Sequence, residues 1–474
     1  MAQETIAHVS STTRRAATGA CRASGWSNSI ARRDMLGRQP DWPEPMTPST
    51  ATSYYRATAT PYEAYAPLEG RHEARVAVIG GGFAGLNTAL GLAERGLRDV
   101  VLLERAQVGY GASGRNGGFV FAGYSLGEQT LLDQLGEARA RALFQRTIDG
   151  VHRIRQRVAD YAIPCDAVDA GVIWANWFRD PGVLRARQQL LAEHYGVAWE
   201  WLPEAQLRER IHSTRYHDGL FERDALHLHP LNYAIGLAGA AAAQGVRVHE
   251  HSGVRRLQRE GNRWRVQAAS GEVLAEQVVL ACGGYLAGLQ RQIDRAILPI
   301  ATYVMVTEPL GDRLADCLAT RAAIYDTRFA FDYYRPLPDT RLLWGGRISV
   351  LDRSPRAVQR LLRRDLLRVF PQLGDVRVDY AWSGLMSYAR HQMPQIGGRE
   401  DGLWWAQAFG GHGLSSTCAA GELLAAAIAE GDPAWRQFTD YGLASTYRPL
   451  GFVAAQASYW RAELQDWLKT RLEG

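Results

Sequence analysis

Between Arg75 and Glu104 the chain leaves itself few choices of fold. Val76 to Ile79 is a short apolar, largely β-branched run of the kind that is buried on both faces of a parallel sheet. Gly80-x-Gly82-x-x-Gly85 follows without a break, then a helix of small residues to about Arg95. A second apolar strand, Val100 to Leu103, ends in Glu104, nineteen residues beyond Gly85. Each part has its own physical task. The glycines permit a tight turn, close backbone approach to a pyrophosphate and tight helix packing, the helix N-terminus faces the phosphates, and the acid accepts from ribose hydroxyls. A glycine triplet alone says little, whereas strand, glycines, helix, strand and acid in register predict a dinucleotide site. A carboxylate at 104 also disfavours a 2′-phosphate ligand.

That fingerprint does not choose between NAD and FAD, and later segments add to it. Gly109 to Gly118 (Gly-Tyr-Gly-Ala-Ser-Gly-Arg-Asn-Gly-Gly) is too glycine-rich for a strand or helix interior. It reads as a surface loop or as a loop wrapping an extended cofactor, with Arg115 and Asn116 as donors. Val278 to Gly284 is another buried strand ending in glycines, as at the carboxyl edge of a parallel sheet. Gly410-Gly-His412-Gly413 opens a helix to about Glu430, whose N-terminus would stabilise negative charge on a ligand.

Together these segments resemble the glycine/D-amino-acid oxidase superfamily of FAD enzymes, and within it the γ-glutamylputrescine oxidases. The likeness runs from about Ser53 to Asp432. It is carried by Tyr54-Tyr55, the glycine fingerprint, Gly111 to Gly118, His227-Leu-His229-Pro230-Leu-Asn232, Asp332-Tyr-Tyr-Arg335, Trp382-Ser-Gly384, Met393-Pro394 and Gly411-His-Gly413. The resemblance implies an α/β fold in which a Rossmann-type FAD-binding domain is interleaved with a substrate domain built on a mixed β-sheet. The FAD-binding parts would be residues 51–158, 246–297 and 381–435, and the substrate parts 159–245 and 298–380. A C-terminal helical tail would occupy 436–474. FAD contacts are implied at Gly80, Gly82, Phe83, Ala84, Gly85, Glu104, Arg105, Ser113, Arg115, Asn116, Gly117, Gly118, Val254, Gly283, Gly411, His412, Gly413 and Leu414.

Departures from the family sharpen these expectations. Covalently flavinylated relatives place a cysteine where this chain has Gly384, so non-covalent FAD is expected. Glycine oxidases place a carboxylate-clamping arginine near Met386. A thioether cannot form that bidentate pair, which favours an amine over an α-amino acid unless Arg390 takes the role. Sarcosine oxidases use a lysine to promote oxygen reduction. The chain has 54 Lys+Arg residues, of which only Lys469 is a lysine. A protonated His412, with Arg115 behind it, is then the expected substitute. Tyr333, Tyr334 and Trp382 are candidates for a cage around the amine, or for core. The expected chemistry is hydride transfer from the amine α-carbon, leaving an imine that hydrolyses to an aldehyde. Oxygen, giving peroxide, is the expected acceptor; a quinone or carrier protein, or a non-catalytic flavin protein, are the alternatives.

The same lysine count excludes other classes. Schiff-base chemistry and a Walker-type phosphate loop both require a lysine in the site, and Lys469 lies near the end of the sequence. The net charge of +5 comes without a dense basic block interleaved with aromatics, so nucleic-acid binding is not expected. Five scattered cysteines lack any Cys-x-x-Cys spacing, which argues against a disulfide framework or zinc site and for a cytoplasmic setting. No apolar run is long enough to span a membrane. His227-x-His229 has metal-ligand spacing but no third ligand cluster nearby, so no metal is expected and a loop or capping role is preferred. Arg360 to Arg368 alternates basic and apolar residues at helical spacing, a solvated helix face. Residues 1 to about 45, rich in Ala, Ser, Thr and Arg, read as disordered or as an upstream-extended start, with a targeting segment as the alternative. Oligomeric state is not legible.

Overall fold

The computed structural model describes residues 53–473, so the reading of the N-terminal 1–50 and Cys21 fall outside the described residues. The predicted strand is the inner end of Gly70–Ile79, which pairs in parallel with Gly271–Leu280 on one side and Val100–Leu103 on the other. Leu403–Gln407 and Arg247–His249 extend the parallel set at either flank. Antiparallel Arg256–Glu260, Arg263–Gln267 and Gln395–Gly398 complete an eight-stranded sheet.

Both faces of this sheet are covered at its centre, which is why the inner end of the central strand, Val76 to Ile79, is apolar. Successive side chains point to opposite faces. Val76 and Val78 enter a core shared with the helices Phe83–Glu94, Pro230–Ala243 and Gly413–Glu430. Ala77 and Ile79 enter a second core under the antiparallel hairpin, with Trp264 and Val266. The turn needs two of its glycines. Gly80 has φ +112°, and a Cβ on Gly85 would stand 2.0 Å from the Gly80 carbonyl oxygen.

The long helix Glu137–Asp160 ties the helical layer together through Arg157, whose side chain is fully buried. Its guanidinium donates to Asn87 Oδ1 at 2.6 Å, to both oxygens of Glu94 and to Glu422 Oε1. Burial alone would raise the Glu94 pKa, but the hydrogen bond and charge of Arg157 outweigh it and hold the carboxyl below its usual value.

The second eight-stranded sheet runs Val378–Tyr388, Leu298–Thr307, Leu342–Ser349, Asp332–Pro336, Ala323–Asp326, Val172–Ala175, Gly219–Glu222, Glu200–Leu202. It is mixed, because Val172–Ala175 pairs in parallel with Ala323–Asp326 and the other pairings are antiparallel. The helix Pro355–Val369 seals one face with Val358, Leu362 and Leu366, while Arg364 and Arg368 stand exposed as the helical spacing predicts.

Three expected boundaries shift. Val378–Tyr388 is one continuous strand of the second sheet, so residues 381–388 belong there and not to the FAD side. The helix Pro230–Ala243 puts Tyr233, Ala234, Leu237 and Ala241 in the core of the first sheet, while its Leu231 and Ile235 pack with Val304, Val306 and Trp382 of the second. Tyr54 and Tyr55 pack with Val304, Val306 and Trp382 of the second sheet. The helix Leu450–Glu473 is fastened to the second sheet, with Gln456 Oε1 accepting from Ser349 Oγ and the Val350 amide and Asp466 accepting from the Phe329 amide. Among the described residues no helix is long and apolar enough to cross a membrane.

Candidate active site

One cavity of about 3970 Å³ runs from the glycine turn to the second sheet. Gly80, Gly82, Phe83, Ala84, Glu104 and Arg105 line one end; Ser113, Arg115, Asn116, Gly117, Val254 and Gly283 line the middle; Gly411, His412, Gly413 and Leu414 lie beyond. Gly85 and Gly118 do not line it. Gly85 packs on the turn itself, and Gly118, at φ +79°, packs on the Leu228 carbonyl.

Local hydrogen bonds shape this track. Glu104 accepts from the Gly81 amide at 2.7 Å and the Ala106 amide at 2.8 Å, and burial raises its pKa against those two donors. Ser113 Oγ accepts from the Phe83 amide at 2.9 Å, satisfying one N–H of the helix that Gly82 caps without a side chain. The expected donors Arg115 and Asn116 are largely engaged within the loop. Arg115 Nε donates to the Tyr110 carbonyl, and the Asn116 amide donates to Ala112 and Ser113 and accepts from Gly118.

The helix Gly413–Glu430 also begins on this cavity without a side-chain cap. Two helix N-termini, each leaving amides for a ligand, thus lie on one elongated cavity with a buried carboxylate at one end. That arrangement fits an extended dinucleotide with phosphates at the first terminus and an electron-rich ring edge at the second. Gly384 presents no side chain there. Cys282, on the cavity wall, has a thiol that burial, then Glu104, pushes up to about 12, so it stays a protonated thiol.

Arg335 explains why several sequence segments occur together. Only 2% exposed, it donates through Nε to the Gly117 carbonyl at 2.7 Å and through Nη2 to the Leu228 carbonyl at 2.8 Å and the Tyr55 hydroxyl at 3.2 Å. Its Nη1 lies 3.3 Å from His227 Nδ1. His227 Nε2 faces the Arg321 carbonyl at 2.8 Å, so the ring carries its proton there and accepts from Arg335. His229 Nδ1 accepts from the Asn232 amide at 3.1 Å as the N-cap of Pro230–Ala243. Burial and the Arg335 charge push His227 down to about 3 and His229 to about 4. Both are structural, and among the described residues no group of His, Cys, Asp and Glu could hold a metal ion.

Four expected catalytic residues divide. Tyr333 lines the cavity, its ring lying over Gly345, where a Cβ would stand 2.0 Å from Cζ. Tyr334, next along the strand, points the other way and is fully buried, stacked on Trp344 at 4.4 Å. Trp382 is buried against Tyr55, and its indole N–H donates to the Arg115 carbonyl at 2.9 Å. Neither Tyr334 nor Trp382 reaches the cavity, so the three-residue cage is corrected to Tyr333 alone. His412 lines the cavity edge-on to Phe121, but burial and the Arg187 charge push it down to about 3. The expected protonated His412 is therefore corrected to a neutral one.

Sequence reasoning missed most of the chamber beyond Tyr333. Phe121, Tyr325 and Trp174 form a stack, with centroid separations of 5.8 and 5.9 Å. Glu128 and Arg187 stand beside it. The helix Leu450–Glu473 closes another wall and carries Lys469, whose Nζ lies 4.2 Å from the Phe178 ring centroid and 4.0 Å from Glu473. Arg390 is exposed, over the Tyr447 ring, and offers no buried carboxylate clamp.

Comparison with known proteins agrees with this geometry. The family model described as FAD dependent oxidoreductase (DAO) matches residues 75–427. The γ-glutamylputrescine oxidoreductase of Escherichia coli K12 is 36% identical over 382 residues, covering 80% of this chain and 89% of that protein. A probable oxidoreductase of Haemophilus influenzae is 32% identical over 408 residues, 83% of this chain and 92% of its own length. The solved glycine oxidase of Bacillus cereus superposes with a TM-score of 0.65 at 20% identity, over 76% of this chain and 96% of that one, a likeness of fold.

Proposed function

This chain belongs to the DAO family of FAD-dependent oxidoreductases, and from that premise we propose that it oxidises an amine of the γ-glutamylputrescine kind to an imine, which hydrolyses to an aldehyde. FAD is its cofactor and, when bound, supplies the acceptor for the hydride of the amine α-carbon. The residues of the chain do the rest. Gly80, Gly82 and the amides behind them would receive the phosphates, Glu104 the ribose, and the amides at Gly413 the flavin ring edge.

The observation that carries the reading is the chamber at the far end of the cofactor track, walled by Tyr333, Phe121, Tyr325 and Met386. These side chains suit methylene groups, and the arginine beside them, Arg187, is already paired with Glu128. Burial raises the Tyr333 hydroxyl, which therefore stays protonated and donates. His412, held neutral by burial and the Arg187 charge, lines the same chamber.

Oxygen is the acceptor proposed, with peroxide released in a cytoplasmic setting. One observation favours a second reading, transfer to a quinone or carrier protein. The single lysine stands over Phe178 beside Glu473 and not at His412. Anaerobic mixing with γ-glutamylputrescine and free polyamines tests both. Bleaching of the flavin is expected, then rapid return of colour with peroxide when air is admitted. Slow return with fast reaction toward a quinone selects the second reading, and an unbleached flavin with every amine sinks both.

A further inference from the structure

The chamber wall carries one ion pair that the proposed chemistry does not use. Arg187 lies on the helix Gly182–Leu190, and Glu128 begins the helix Glu128–Leu135. Arg187 Nη2 donates to Glu128 Oε1 at 2.7 Å, with the side chains only 16% and 9% exposed. The guanidinium carbon sits 4.7 Å from the Trp174 ring centroid and 4.8 Å from that of Trp199, which fixes its place. Both residues line the cavity.

The pair is far from saturated. A guanidinium has five N–H donors and a carboxylate about four acceptor sites, yet a single hydrogen bond joins these two. Among the described residues, Arg187 Nε is buried without a partner, Glu128 Oε2 accepts from none, and the Tyr325 hydroxyl is the other side-chain group within hydrogen-bonding reach of the guanidinium. A buried charged group with unused hydrogen-bonding positions costs stability unless a ligand meets it. The pair opens on the same cavity as His412. A Cβ on Gly123 would lie 3.3 Å from Glu128 Oε1 and 3.9 Å from His412 Cδ2. Beside it, the Phe121–Tyr325–Trp174 stack gives a flat apolar wall suited to a methylene chain.

The ligand that satisfies these groups has both signs of charge on one small head. A carboxylate meets the Arg187 guanidinium where it lines the cavity, and an ammonium meets Glu128. A simple cation would be repelled by Arg187, and a simple anion by Glu128. We propose that Arg187 and Glu128 form a subsite for a zwitterionic amino-acid head, remote from the amine that is oxidised, of which a γ-glutamyl group is one example. This rests on the amine-oxidising reading above and adds the two residues that would select its substrate.

Equilibrium titration of the holoenzyme, followed by the flavin spectrum and by calorimetry, tests it with three amides that lack the terminal amine. They are γ-glutamylbutylamide, its des-amino analogue glutarylbutylamide, and the headless N-butylpropanamide. The wild-type protein should bind the first most tightly. R187Q should weaken that binding roughly 10- to 100-fold, the range for hydrogen bonds to a charged group, with R187K intermediate. E128Q should erase the preference for γ-glutamylbutylamide over glutarylbutylamide. FAD content and thermal midpoint report whether each variant is folded, and R187K and E128Q carry the test should R187Q fail to fold. Equal binding of all three amides by the wild type, or R187Q and E128Q titrations that match it, would overturn the subsite. Head-dependent binding in a protein whose flavin no amine bleaches would keep the subsite and sink the amine-oxidising reading; bleaching without head dependence would do the reverse.

Discussion

Arg335, buried in the second sheet, donates to the carbonyl of Gly117 in the cofactor loop at 2.7 Å. The loop that frames the cofactor is therefore positioned from the substrate side. R335M leaves the Gly117 and Leu228 carbonyls without that donor, at an expected cost of about 2–4 kcal/mol. FAD retention on dilution should fall at least tenfold, and bound-flavin fluorescence checks it. Retention equal to wild type would remove Arg335 from that role.

Tyr334 faces core, so Y334F should leave kcat and KM for the oxidised amine unchanged. Its ring is what matters, stacked on Trp344. Y334A should cost about 3–5 kcal/mol in urea unfolding. A kinetic effect of Y334F as large as that of Y333F would contradict the assignment.

Acid should destabilise the fold through buried histidines. His227 and His229, neutral in the folded state, have pKa values near 3 and 4 against 6.5 when exposed. The unfolded chain therefore binds protons that the folded one refuses. Their contribution is whole above pH 6.5 and is lost as pH falls below it, by up to about 1.4 kcal/mol per pH unit for each ring. Unfolding midpoints between pH 7 and 5 should show this slope, and H227Q should flatten it. His412, pushed down to about 3, should add no inflection to a rate profile between pH 5 and 9.

Removing Arg157 strands two partly buried carboxylates, Glu94 and Glu422. R157M should cost about 3–5 kcal/mol. The triple replacement R157M/E94Q/E422Q should recover much of it, since paired charges of this kind are replaceable as a set. Denaturant midpoints decide the matter, and a triple variant no more stable than R157M would count against the pairing.

Acid precipitation should release all the FAD into the supernatant, because Gly384 has no side chain and the Cys282 thiol is held protonated. Flavin colour left in the pellet would show a bond that the geometry does not provide.

The cofactor end was legible in the sequence because its signals are local. Strand, glycine turn, helix and Glu104 lie within thirty residues, and the backbone needs each of them in place. The substrate end was not legible, for identifiable reasons. Tyr333 and Tyr334 are neighbours on a strand whose side chains alternate faces, and nothing in their order says which face holds the cavity. Trp382 has the composition of a substrate wall, but it spends its indole N–H on Arg115. Arg187 and Glu128 are 59 residues apart, on separate helices, with no spacing to link them. His412 lines the cavity, while its charge depends on burial that a sequence does not state.

The order of the first sheet has a consequence for how the protein is made. Its central strand, Gly70–Ile79, is among the early parts of the folded region to leave the ribosome, yet its partner Gly271–Leu280 arrives some 200 residues later and Leu403–Gln407 later still. Meanwhile an apolar strand edge stays open, and distant pairing of this kind is slow and prone to aggregation. Neither sheet can be cut out as a self-sufficient piece, because the strands of each are threaded through the other in sequence. The nascent chain therefore needs its edge shielded during synthesis, and dissection into two separately expressed halves should yield insoluble fragments.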